Sequence, residues 1–261
     1  MGESLFILTG ASRGMGAAIA EELLQPGHVL LCLSRHTNTA LQERASAVNA
    51  NLTQWPRDLA EPAPVADEVE AWLRAFDSAR FDAATLINNA GVLTRIGPMD
   101  ECSTAELSVA LRVGLEAAML LTASFLRATR GWRAMREGRC KVLNVSSGLG
   151  RRAMAGSAPY CAAKAGMDHF TRAAALDESH RAAAQGLPGA AIVSLAPGVI
   201  DTDMQTHLRG ADGSGFPDQR NFVQLKSSGQ LASPHDAAVR VLAYLSRDDF
   251  GSHPTADVRD A

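Results

Sequence analysis

Leu5-Phe6-Ile7-Leu8-Thr9-Gly10-Ala11-Ser12-Arg13-Gly14-Met15-Gly16 reads as a buried strand, a glycine turn and the opening of a helix that continues to about Leu24. An unbroken apolar run before the turn suits a strand covered on both faces. The glycines let the backbone turn tightly and approach a pyrophosphate, whose charge the amide groups opening the helix can meet. On this reading Gly10, Ser12, Arg13, Gly14, Met15 and Gly16 border a dinucleotide. The spacing is G-x-x-x-G-x-G rather than G-x-G-x-x-G, so the loop alone also fits a purely structural turn. Gly10-Ala11-Ser12-Arg13-Gly14 is formally the G-x-S-x-G elbow of a hydrolase as well. That elbow lies well inside its sheet, whereas only eight residues precede Thr9, and no histidine is marked out as its partner.

Outward from this unit the same alternation repeats. Strand-like runs fall at 29–33, 53–58, 85–87, 141–145 and 191–195, with helical patterns at 41–48, 65–76, 104–127 and from Pro159 to about Leu176. Pro56 marks the third strand as an edge or an irregular end. Continuous apolar strands, each followed by a helix, predict a doubly wound parallel α/β sheet of Rossmann type with helices on both faces. Such a sheet binds ligands beyond its carboxyl edge. One domain is expected over 1–261, with a substrate loop at about 203–233. Its stretch from Thr206 to Ser233 is rich in Gly, Ser and polar residues and reads as an irregular lid or binding loop, with a plain floppy insertion as the alternative.

Composition narrows the partners. With 46% hydrophobic and 20% charged residues, the 261-residue chain is globular, and its net charge of -3 gives no footprint for nucleic acid. Arg127, Arg130, Arg133, Arg136 and Arg139, spaced by three, read as a solvated helix face. Cys32, Cys102, Cys140 and Cys161 form no C-x-x-C pair and no metal-ligand spacing, so no metal is expected and the thiols suit a reducing compartment. Met1 to Leu8 has no basic start, and no run of about 18 apolar residues exists. A cytoplasmic protein with no membrane partner is the expectation.

Two places carry chemistry. At the end of the second strand stand Ser34, Arg35 and His36 where an enzyme selecting NAD would carry an acid. A guanidinium there grips a 2′-phosphate, and Arg13 adds a second cation, so NADP(H) is the expected cofactor. Tyr160 and Lys164 lie at i and i+4 of a predicted helix that Pro159 opens. The chain has only two tyrosines and three lysines, so chance pairing is rare. A nearby ammonium stabilises a phenolate, which predicts a lowered Tyr160 pKa and a usable proton donor. Ser147, just past the strand ending at Val145, is placed to hold a substrate carbonyl, with Ser146 as the alternative.

Together these motifs make the chain resemble the short-chain dehydrogenase/reductase family over nearly its whole length. The further matches are Asp58-Leu59, Asn88-Asn89-Ala90-Gly91 and Pro197-Gly198-Val199-Ile200-Asp201-Thr202. The resemblance implies that Asp58 and Leu59 flank the adenine, and that Asn89, Ala90 and Gly91 border the cofactor. It implies that Ile200 and Thr202 hold the nicotinamide carboxamide, with Pro197, Gly198, Asp203 and Met204 beside it, and that Lys164 binds the nicotinamide ribose. Thr202-Asp203-Met204-Gln205 and the C-terminal segment are most similar to the sepiapterin and diketone (benzil) reductase branch, in which an acid matching Asp257 anchors the substrate. One departure stands out: Gly114 replaces an asparagine that supports a helix kink and a water relay in most members. The implied activity is reduction of a ketone or dicarbonyl by NADPH with Tyr160 as proton donor, in a homodimer or homotetramer. The alternative is a non-enzymatic NADPH-binding regulator on the same fold.

Overall fold

The computed structural model describes residues 2–260. In chain order it runs β1 (Glu3–Thr9), α1 (Gly14–Leu23), β2 (His28–Ser34), α2 (Thr39–Ala47), β3 (Asn51–Pro56), α3 (Pro62–Arg74) and β4 (Phe81–Asn88). There follow α4 (Thr104–Leu111), a π-turn (Arg112–Glu116), α5 (Ala117–Thr129), α6 (Arg133–Arg136), β5 (Cys140–Val145) and α7 (Ala158–Gln185). The chain closes with β6 (Ala191–Ala196), α8 (Asp203–Arg209), α9 (Gln219–Ser227), α10 (Pro234–Leu245) and β7 (Thr255–Asp257). The strands form one sheet in the order β3-β2-β1-β4-β5-β6-β7, every pair parallel. The order reverses between β1 and β4, where a doubly wound sheet opens a crevice.

Period-2 alternation divides the core between the two faces. Leu5 and Ile7 of β1 pack with Val69, Leu73, Leu121 and Phe125 of α3 and α5. Leu8 faces the other way, into Ile19, Leu41 and Val241 of α1, α2 and α10. Away from the crevice an aromatic cluster closes the first layer: Phe81 is fully buried, stacked on Trp132 at 5.2 Å and edge-on to Phe76 at 5.2 Å. Truncating Phe81 to alanine leaves a cavity that these rings cannot collapse into. A loss of about 3–5 kcal/mol is expected, and urea denaturation would check it; a loss under 1 kcal/mol would contradict this packing.

Several sequence expectations change. The segment 206–233 is not irregular, because α8 and α9 occupy much of it. Leu208 and Phe222 anchor them to Met154, Ile96 and Phe216 in a small third core, and the polar composition between those anchors hid the helices. Helix α7 runs nine residues past Leu176 and ends at Gly186, whose φ of 62° suits a left-handed cap. The arginine series does not lie on one helix, since the chain breaks between α5 and α6. Arg127 pairs with Glu70, Arg130 with the buried Glu178, Arg133 with Asp82 and Glu137, and Arg139 with Glu137. Arg136 is turned back onto the Gly131 carbonyl. The helical stretch Thr104–Thr129 is long and apolar enough to cross a bilayer, yet half of its apolar window is buried within the fold, as in a core helix.

Candidate active site

The carboxyl ends of β1, β4, β5 and β6 open into a cleft of about 1090 Å³. The glycine loop forms one wall. Thr9 fixes it from below: its hydroxyl accepts the amides of Asn89 (2.9 Å) and Ala90 (3.0 Å). The Asn89 side chain donates to the Thr9 carbonyl at 3.0 Å and to that of Gly10 at 3.3 Å, tying β1 to β4. A Cβ on Gly16 would stand 2.0 Å from the Gly10 oxygen, so only glycine lets α1 start this close to the turn. No side chain caps α1, and no acid occupies its first turn, which leaves its opening amides free for an anion. A side chain at Gly91 would start 3.8 Å from the Lys164 ammonium and fill the space beside it. These features fit a dinucleotide lying across the cleft.

At the far end of the loop, Ser34 accepts the Ala11 amide through its hydroxyl at 3.0 Å, and the exposed Arg35 lines the opening. His36 does not line the cleft; the chain turns out of β2 after Ser34 and leaves it exposed. Arg13 is already engaged across the mouth, 2.8 Å from Asp203, with both side chains more than two-thirds exposed. So exposed a pair is weak, worth about 0–1 kcal/mol, and holds α8 against the loop. Arg57 had no signal in the sequence reading. Its backbone amide donates to the Ser34 carbonyl (2.8 Å), and its guanidinium, paired with Glu68, lines the same opening. Asp58 and Leu59 follow it on the cleft wall. Pro197, Gly198, Ile200, Thr202, Asp203 and Met204 form the wall opposite.

Ser147, Tyr160 and Lys164 meet on the β5 side. Tyr160 stands in the first turn of α7 behind Ser157 and Pro159, and Lys164 one turn later puts its ammonium 5.8 Å from the Tyr160 ring centre. Lys164 is nearly fully buried and donates to the Val145 carbonyl at 2.7 Å. Burial pulls its pKa down to about 8, against the opposing pull of Asp168 one turn on. The Tyr160 pKa does not follow the sequence expectation. Burial pushes the phenol up to about 12, and only Ser147 draws it back. Lys164 gives one of its three N–H groups to Val145, and its charge does not offset the desolvation of the phenol. Tyr160 therefore keeps its proton throughout the neutral range, which suits a donor.

Asp168, which carries no motif in the sequence, separates the two serines that line the cleft. Ser146 is buried and donates to Asp168 at 2.5 Å, Ser194 of β6 does so at 2.6 Å, and Arg151 stands 3.2 Å away. The Ser146 hydroxyl is thus committed to Asp168, while that of Ser147 accepts the Leu149 amide at 3.2 Å and lies within hydrogen-bond reach of the Tyr160 phenol. The signal was present in the i, i+4, i+8 spacing of Tyr160, Lys164 and Asp168. Gly114 lies in the π-turn, closed by the Ala117 amide on the Arg112 carbonyl, so the helix is distorted here without an asparagine. A Cβ at this position would meet that of Ala163 at 3.0 Å. Asp257 lines the cleft with both of its oxygens bonded to the exposed Arg259 at 2.8 and 2.6 Å, so a substrate anchored there would share the carboxylate with that guanidinium.

The family model described as short chain dehydrogenase matches residues 4–212. A benzil reductase ((S)-benzoin forming) of Bacillus subtilis (strain 168) is 34% identical over 243 residues, covering 93% of each chain. Sepiapterin reductase of Meriones unguiculatus is 31% identical over 270 residues, covering 100% of this chain and 98% of its own. Among solved structures, 3-oxoacyl-[acyl-carrier protein] reductase from Brucella melitensis in complex with NAD superposes with a TM-score of 0.78 at 20% identity, over 99% of this chain and 96% of its own. That last likeness establishes the fold.

Proposed function

This chain belongs to the short-chain dehydrogenase family, and on that premise we propose that it is an NADPH-dependent reductase of ketones or dicarbonyl compounds. The observation that carries the reading is the meeting of Ser147, Tyr160 and Lys164 on one wall of the cleft, facing the glycine loop. The benzil and sepiapterin reductases among its relatives support a carbonyl substrate. A nicotinamide cofactor, when bound, supplies the hydride that reduces the carbonyl carbon. Ser147 donates a hydrogen bond to the carbonyl oxygen and holds it toward Tyr160, which gives that oxygen its proton. The Lys164 ammonium and the opening amides of α7 favour the negative charge left on the phenol. Arg35, with Arg57 beside it, receives the 2′-phosphate, while Asp58 and Leu59 border the adenine. Ile200 and Thr202 hold the carboxamide. We place the enzyme in the cytoplasm, where its unpaired thiols stay reduced. We assign it a homodimer or homotetramer through α5 and α7, which expose Met119 and Leu176.

The test is NADPH consumption across a panel of diketones, pterins, quinones and aldehydes. Turnover of at least one class is expected; tight NADPH binding without oxidation over the whole panel would contradict the reading. A pH dependence also follows. Lys164 is charged below about pH 8 and neutral above it, and its charge is needed beside the ribose and the phenol. The kcat/KM for NADPH, which reports the free enzyme, is expected to be level from pH 6 to 7. It should fall above about pH 8. A profile flat to pH 10 would contradict the role of the ammonium.

A further inference from the structure

We propose that the substrate end of the cleft is built for a carbonyl compound carrying a carboxylate on an apolar body, the acid being received by Arg152, Gln205 and Arg209. The inference rests on the reductase reading for the carbonyl and on the cleft's own polar groups for the acid. The cleft is lined by eight cationic side chains and four carboxylates, in a chain whose net charge is -3. A positive cleft in a negative protein focuses an anion toward it. The dinucleotide accounts for the cations at the adenosine end, but the substrate end keeps an excess of its own.

There, Asp257 is charge-paired with Arg259. Asp201 is bonded to Lys226, and Arg209 stands 3.8 Å from it without a hydrogen bond. The Arg209 Nη1 is buried with no acceptor, although its other nitrogen, Nη2, donates to Thr206 at 3.0 Å. One turn earlier on α8, Gln205 is only 7% exposed, lines the cleft, and has a buried Oε1 with no donor. Its amide can be turned either way, so that place can equally offer an N–H to an acid. Arg152 leaves the turn that begins at Ser147, lines the cleft, and forms no ion pair among the described residues. A carboxylate would answer the buried Arg209 Nη1 and, with its amide turned, Gln205, with the exposed Arg152 at the rim, whereas a neutral ketone leaves the Arg209 donor without an anion. Apolar side chains stand beside them on the same wall: Leu93, Leu149, Met154, Met204, Leu208 and Phe222.

The probe pair is 4-oxo-4-phenylbutanoate and its methyl ester, which share ketone and ring and differ in charge. The expected result is a higher kcat/KM for the acid, with the acid-to-ester ratio falling about tenfold to a hundredfold in Arg152→Ala, the range of a charge-assisted hydrogen bond. Because a ratio is read, a general loss of activity does not mimic the effect. An ester reduced as well as the acid, or a ratio unchanged in the variant, would overturn the proposal. Loss of NADPH affinity in Arg209→Gln with the acid preference intact would overturn the part assigned to that guanidinium and give it to the cofactor's phosphates. Calorimetric binding of 4-phenylbutanoate to the NADPH complex separates this inference from the reductase reading. Arg152-dependent binding without turnover of any carbonyl would sink the reductase reading and leave the acid subsite standing. No binding would overturn the subsite.

Discussion

Tyr160→Phe is expected to cut carbonyl reduction about a thousandfold or more while NADPH binds almost as in the wild type. General acid catalysis contributes about 10²–10⁴ in rate, and the variant removes the acid with a single oxygen atom. The ring stays in the first turn of α7, so packing around Pro159 and Lys164 is kept. Burial, Ser147 and Cys161 act on the phenol, and none of them supports the glycine loop, whose anchors are Thr9 and Asn89. Cofactor affinity, followed by NADPH fluorescence, should therefore survive. Turnover within tenfold of the wild type would remove Tyr160 from the proton path.

Arg35→Asp is expected to weaken NADPH by about a hundredfold and leave NADH nearly unaffected. A guanidinium binds a phosphate through charge-assisted bonds, and a carboxylate in its place repels the same group. Arg35 is exposed at the cleft opening and Arg57 sits beside it, held by the Ser34 carbonyl and Glu68. Arg57 softens the loss but does not cancel it, since its charge is shared with Glu68. Titration of both cofactors would check this; equal weakening of NADPH and NADH would refute the phosphate role.

The frame of the fold was legible because apolar runs flanked by glycine turns have few alternatives. Leu5 to Leu8, Val29 to Leu33 and Ala191 to Leu195 all became central strands. The end of α7 was not legible, because its last turns hold only polar residues and alanines, and the position they bury is a charged one, Glu178, so no apolar stripe runs to the end of the helix. Strand β7 escaped for a related reason: three residues at a sheet edge make no pattern. In the site, the sequence spacing placed Ser147, Tyr160 and Lys164 together, since a helical turn and a strand end are local geometry. What spacing does not carry is the balance between burial and charge. The rise of the Tyr160 pKa and the capture of Asp257 by Arg259 depend on groups brought together only by folding.

The most direct measurement is a crystal structure of the complex with NADPH and a slow carbonyl substrate. The Tyr160 hydroxyl and the Ser147 hydroxyl should both lie about 2.6–3.2 Å from one carbonyl oxygen, with the nicotinamide ring against the same carbonyl. A Tyr160 hydroxyl directed into solvent or the packed interior, away from that oxygen, would contradict the account.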